Sequence, residues 1–208
     1  MKDLKKFITT TIREYVNEQY SQTKNIWYHG TPNETLNFNL YSKGNQIPYG
    51  VHFTQNKDIA IDFAKGTTKL KKTEKANLFI CDINTDNSFD ITEKHIFTEG
   101  DLYFNILNEI GIKSKIKEII YPTKNGQFYH RNYLGQDGFL NKIDAEQILD
   151  NAKPNAVIQI LKKYKINPII KYKMVGSTDI LGYNKIYTDA ICVLESSYVK
   201  ILSIEVLP

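Results

Sequence analysis

The residues of this chain best suited to chemistry stand in three short blocks: Tyr28-His29-Gly30-Thr31, Gly50-Val51-His52-Phe53-Thr54 and Tyr187-Thr188-Asp189. A histidine followed by glycine offers an imidazole beside main chain that no Cβ shields, so a ligand can approach the backbone closely. Phe63 follows His52 by eleven residues, and two flat rings joined by a strand–turn–helix unit can sandwich a planar heterocycle. Asp189 puts a carboxylate at the start of a strand. A fixed anion beside a stacked heterocycle suits cleavage of an N-glycosidic bond, because the transition state there carries oxocarbenium-like positive charge. Taken singly, each residue has a plainer role: a satisfied core or loop histidine, a core phenylalanine, a polar residue where a strand begins. The chemistry needs His52, Phe63 and Asp189 on one side of the molecule.

The elements that would position these groups can be read from periodicity and punctuation. "NIWYHG" and "YGVHFTQ" read as short strands, separated by the long loop "TPNETLNFNLYSKGNQIP". "NKDIAIDFAKG" predicts a helix starting at Asn56 and stopping at Gly66, with Ile59, Ala60 and Phe63 on its apolar side. "ANLFICDIN" is a strong strand pattern. "TEGDLYFNILNEIG" predicts a helix with a Thr98/Asp101 cap and a stop at Gly111, and "FYHRNYLGQDG" reads as a loop. "DAEQILDNA" and "PNAVIQILKKYKI" form a helix pair, with Pro154 suited to a first turn. "PIIKYKMV", "DAICVLES" and "YVKILSIEVL" then close the chain as strands. Strands early and late with helices between predict an α+β domain. Leu4, Ile8, Ile12, Tyr15, Val16 and Gln19 recur at helical spacing, so residues 1–24 read as an amphipathic lead-in helix to a domain over 25–208.

At 208 residues the chain is long enough for one well-buried domain and short for two. No apolar run approaches a membrane span, and the basic N-terminus lacks the pattern of a secretory signal. Cys81 and Cys192 each sit in an apolar run and read as buried thiols, with no metal site implied. A reducing cytoplasm, the chain's own or a host's, is the expected compartment. The net charge of +4 is too small for a nucleic-acid coat. Locally, however, Lys65–Lys75 holds five lysines and one glutamate, either a solvated loop or a contact for phosphates. Arg131, with its aromatic neighbours Tyr129 and Tyr133, invites the same pair of readings.

The three blocks together resemble the poly(ADP-ribose) polymerase-like branch of the ADP-ribosyltransferases (diphtheria-toxin-like, H-Y-E type), here with a variant His-His-Asp triad. The resemblance covers roughly residues 26–66 and 186–205, leaving a helical insertion around 98–166 unmatched. It implies a single domain with central split, antiparallel-rich β-sheets and flanking helices. It also implies NAD⁺ as substrate. His29 would hold the adenosine-side ribose, the Gly30 backbone would clasp the nicotinamide amide, and Thr31 completes that cofactor-binding segment. His52 stands where the family tyrosine packs on the nicotinamide ring, Phe63 where a second aromatic stacks, and Asp189 where a glutamate meets the nicotinamide ribose.

Three departures bear on the chemistry implied. His52 replaces tyrosine, so the stacking area is smaller. Ala60 replaces a serine that binds the amide, removing a hydrogen bond that contributes about 1 kcal/mol. Asp189 is one methylene shorter than glutamate. Single transfer or NAD⁺ hydrolysis is therefore expected rather than chain elongation: a mono-ADP-ribosyltransferase acting on an unidentified macromolecular acceptor, of the toxin or effector kind found in bacteria and phages. The chain also resembles RNA 2′-phosphotransferases through "HGT" and "VHFT", but Arg13 and Arg131 are its only arginines, too few for that catalytic set. A non-catalytic domain binding NAD⁺ or nucleic acid is the remaining alternative.

Overall fold

The structure, a computed structural model, describes residues 25–38, 50–65, 76–93, 96–122, 128–132, 138–178 and 185–207. The expected helix over 1–24 and the lysine run beyond Lys65 lie outside the described residues. In chain order the elements are β1 (Ile26–Thr31), β2 (Val51–Thr54), α1 (Lys57–Ala64), β3 (Ala76–Asp82), β4 (Ser88–Asp90), β5 (Ile96–Thr98) and α2 (Leu102–Ser114). There follow β6 (Glu118–Pro122), β7 (Phe128–Asn132), β8 (Phe139–Asn141), α3 (Lys142–Asn151) and α4 (Pro154–Lys163). β9 (Asn167–Thr178), β10 (Lys185–Val193) and β11 (Lys200–Leu207) complete an α+β fold. Among the described residues no helix is long and apolar enough to cross a membrane.

A seven-stranded sheet in the order β11-β3-β1-β2-β10-β9-β4 carries the fold. Its neighbours are antiparallel except β4 and β9. The joint between β1 and β2 is narrow: they share one register pair, Tyr28 with Thr54. Side chains alternate between faces along each strand, and the two faces have separate cores. On the helical face, Ile170, Tyr172, Ala190 and Cys192 meet Leu107, Ile110, Ile148, Val157 and Ile160 from α2, α3 and α4. On the opposite, loop-covered face, Trp27, Phe53, Phe79 and Ile191 pack with Leu36, Phe38, Tyr198 and Val199. Each such buried large side chain contributes about 1.5–3 kcal/mol against exposure, so the sheet is held between two apolar layers.

Local signals explain most boundaries. Asn56 caps α1, its Oδ1 accepting from Ile59 N–H at 3.1 Å. Asn141 and Asp144 form a reciprocal capping box at the start of α3, with Asp144 N–H to Asn141 Oδ1 at 3.0 Å and Asn141 N–H to Asp144 Oδ2 at 2.7 Å. Pro154 opens α4. Two expectations fail. α2 runs past Gly111 to Ser114, because Gly111 is buried in the helix packing and Lys115 takes the left-handed conformation, φ 58°. Lys115 N–H then reaches Ile112 O and Ile116 N–H reaches Gly111 O, both at 3.0 Å, closing the helix. The second miss is "FYHRN", expected as loop, which forms β7 against β6 with Arg131 opposite Ile119; a hairpin partner supplies ladder hydrogen bonds that no local signal in that segment announces. The segment 98–166 holds three helices that share the core of the main sheet.

Gly30 fixes how α1 sits. A Cβ there would stand 1.7 Å from the Ala60 carbonyl oxygen and 2.8 Å from the Ala64 nitrogen. Helix backbone therefore fills the space that the glycine leaves, which corrects the expectation that a ligand approaches the main chain on that side of Gly30. Gly30→Ala should cost at least about 2 kcal/mol by overpacking, read as a lower urea midpoint with unchanged slope; a variant as stable as the wild type would mean that α1 does not pack there.

Candidate functional site

The seam between β1 and β2 brings the first two blocks together. Beyond the Tyr28–Thr54 pair, His29 Nδ1 lies 2.7 Å from the His52 carbonyl oxygen. A carbonyl can only accept, so Nδ1 carries the proton and Nε2 of the neutral ring is left as an acceptor. The ring packs against Phe53 at 5.5 Å and Phe79 at 6.3 Å between centroids. Burial pushes the His29 pKa below its ordinary value, the hydrogen bond to His52 O opposing that shift.

Register assigns the faces. Tyr28, Thr54 and Ala190 stand in one row across β1, β2 and β10. Counting from that row, Gly30, His52 and Cys192 project to the helical face, whereas His29, Phe53, Ile191 and Asp189 project to the loop-covered face. α1 lies over Gly30 on the helical face, since Ala60 O occupies its Cβ space. Phe63, half-buried, follows Ile59 and Ala60 on the same stripe of α1. Gly30, His52, Ala60 and Phe63 thus share one side of the sheet. Gly50, which introduces β2, has φ 103° and would place a Cβ 2.5 Å from Val193 O, so no other residue fits where that strand begins.

Asp189 does not join them. It lies opposite Lys173 in β9, with Cys192, not Asp189, opposite His52. From His52 it is three residues along the ribbon, roughly 10 Å at strand rise, and on the other face. This corrects the expectation that residues 52, 63 and 189 share a side. The reason is the two-residue period of a continuous β2–β10 pair, which puts positions of opposite parity on opposite faces. Asp189 is exposed, its backbone carbonyl accepting from Thr54 Oγ1 at 3.2 Å. Lys173 pairs with Glu93 at 3.3 Å, and Lys171 stands 4.0 Å from Asp90, so the carboxylate ends a ladder of alternating charge.

Thr31 is buried, and its Oγ1 accepts from Asn33 N–H at 3.2 Å, a turn-forming role. His52 Nδ1 lies 2.6 Å from the hydroxyl of Tyr172. Tyr172 was not among the residues marked in sequence, although "IIKYKM" held the signal: lysines alternating with apolar residues turn Tyr172 inward, and an inward phenol needs a partner. Cys81 and Cys192 are buried free thiols, and burial holds Cys81 up at about 12 and Cys192 higher still. Neither is a nucleophile. Among the described residues no group of three or more His, Cys, Asp or Glu side chains could hold a metal ion. A separate open groove of about 930 Å³ runs along the loop-covered face between Leu36, Phe38, Phe79, Val199, Ile201 and Ile204.

No family model and no curated protein matches the chain. Among solved structures it is similar to the crystal structure of an anti-CRISPR protein at 8% identity and a TM-score of 0.29, covering 88% of this chain and 94% of the other. A likeness that loose bears on neither fold nor function.

His29 makes stability pH-dependent with a definite sign. Its folded pKa is depressed, so below about 6.5 the unfolded chain takes up a proton that the folded chain refuses. Stability is full above that value and falls as pH drops, at most about 1.4 kcal/mol per pH unit from this one group. Urea denaturation from pH 7 to pH 5 should show a steeper loss for wild type than for His29→Gln. Equal slopes would remove His29 as the cause.

Proposed function

We propose that this domain binds NAD⁺ at the β1–β2 seam; because Asp189 lies on the face away from His52, action as a mono-ADP-ribosyltransferase on an unidentified macromolecular acceptor is the second reading. One observation carries the proposal. Gly30 and His52 project to the same face, each two residues from the paired Tyr28 and Thr54, with Ala60 against Gly30 and Phe63 on the same helix stripe. Those are the positions that the family resemblance assigns to the nicotinamide end, and a continuous fold brings them to one side. His29 supports the ribose role: with Nδ1 donating to His52 O, its Nε2 accepts, and a ribose hydroxyl is a donor that suits it.

In the reaction proposed, the bond from the nicotinamide nitrogen to the ribose C1′ breaks and nicotinamide leaves with the bonding pair. The acceptor's nucleophilic atom forms the new bond to C1′ and gives up its proton, or water does so in hydrolysis. Asp189 stabilises the positive charge that develops on the ribose. To meet it, the ribose passes the end of β2, where the strand stops at Thr54 and the carboxylate faces open solvent. The separation of Asp189 from His52 is what puts first the binding reading, in which the domain holds NAD⁺ without cleaving it.

Incubation of the purified protein with NAD⁺, following free nicotinamide, decides between them. The transferase reading expects turnover, weaker NAD⁺ binding in His29→Ala, and in Asp189→Ala a loss of turnover larger than the loss of affinity, on the order of 100-fold in rate for a group acting on transition-state charge. Turnover that survives in Asp189→Ala would remove that residue from the chemistry. Saturable NAD⁺ binding without nicotinamide release would establish the binding reading.

A further inference from the structure

We propose that Tyr172 is the positioning residue of His52: its phenol donates to Nδ1, fixes the proton of the neutral imidazole on Nε2, and sets the plane against which nicotinamide stacks. The stacking part rests on the NAD⁺ site proposed above; the hydrogen-bond part does not.

The geometry points to a lock made of two contacts. Tyr172 Oη and His52 Nδ1 are 2.6 Å apart, and the two rings meet edge to face, 5.6 Å between centroids at 83°. The hydrogen bond fixes one atom of the imidazole, and the perpendicular ring fixes rotation about it. Tyr172 can reach His52 although β10 lies between their strands. On the helical face β10 presents Ala190, opposite Tyr172, and Cys192, opposite His52. Both are small, so the phenol lies across β10 where a larger pair would lift it away.

The direction of the bond follows from burial. Tyr172 is 5% exposed and packed among Ala190, Cys192 and the residues of α4. Burial also lifts its pKa well above the ordinary tyrosine value, so the hydroxyl keeps its proton. Leaving a buried O–H without an acceptor is costly, and among the described residues its acceptor is His52 Nδ1. A proton on Nδ1 would turn two donors toward each other or orphan the phenol. The Nε2–H form gives the phenol its acceptor and places the ring proton on Nε2, which is itself buried.

The test uses the full chain with ¹³C,¹⁵N-labelled histidine. In the wild type, the His52 ring nitrogens should report protonated Nε2 and unprotonated Nδ1, and Tyr172→Phe, which keeps the ring and its packing, should mix the two forms. The same variant should raise the KM for NAD⁺ about fivefold to tenfold, the scale of one hydrogen bond, while kcat changes by less than about twofold. A wild-type His52 protonated at Nδ1, or a tautomer unchanged in Tyr172→Phe, overturns the lock, and the wild-type spectrum decides this even should the variant fold poorly. A shifted tautomer with unchanged KM overturns its role in stacking. Absence of NAD⁺ binding in the wild type itself would overturn the nicotinamide site, while the nitrogen shifts would still decide which atom Tyr172 controls.

Discussion

The main sheet is two antiparallel ribbons joined along one weak line. β11, β3 and β1 form one ribbon, with a register shift between Ile201 and Ser203; β2, β10 and β9 form the other, with one between Ile186 and Tyr187. Among the described residues they are joined by the backbone pair Tyr28–Thr54 and by His29 Nδ1–H donating to the His52 carbonyl. A backbone carbonyl at a parting seam is a group that must be satisfied once water is excluded. His29 does so, and thereby accounts for both its tautomer and its depressed pKa. The helix that follows β2 then closes over β1 on the far side of the seam, and only glycine at position 30 lets it come so close.

That seam also sets which groups can cooperate. Within a fully paired ribbon, parity separates neighbours onto two faces and no side chain can cross. At the parting of β1 from β2, groups from both faces border the same gap. His29 reaches His52's backbone from the loop-covered face, while the His52 ring turns the other way toward Tyr172. Asp189 belongs to the β2–β10 ribbon, where pairing is unbroken, and is therefore held apart from the imidazole ring. Under the NAD⁺ reading proposed above, Asp189 and the His52 ring, on opposite faces, could share a ligand only around the end of the shorter strand. β2, at four residues, is short enough to have such an end nearby.

The order of elements was legible in the chain because it rests on local signals. Asn56, Asn141 and Pro154 announce helix starts through hydrogen-bond geometry confined to a few neighbours. Gly111 misled because glycine is a stop signal only where the chain can leave the helix; here its missing side chain serves packing, and Lys115 bears the left-handed turn. β7 was illegible for the opposite reason: its partner lies outside the segment that reads as loop. Site membership followed the same division. Spacing put His52, Ala60 and Phe63 on one unit. The side on which Asp189 falls depends on a register between strands more than a hundred residues apart in sequence, which no local pattern encodes. Tyr172 became visible only when the same register placed it diagonally across from His52.

The two seam histidines illustrate how one residue type is given two chemistries by its surroundings. His29 faces a carbonyl, a group that only accepts, and so must present its Nδ1 proton and keep Nε2 as an acceptor. His52 faces a buried phenol that has one proton to give, which assigns the reverse pattern to its ring. Neither assignment draws on the identity of histidine itself; each comes from a partner with one permitted direction of bonding. Under the NAD⁺ reading proposed above, the acceptor at position 29 would meet a sugar hydroxyl and the ring at 52 would stack on the nicotinamide. Should nicotinamide stack at position 52 as proposed, Tyr172 is the group that confines the proton of that ring to one nitrogen.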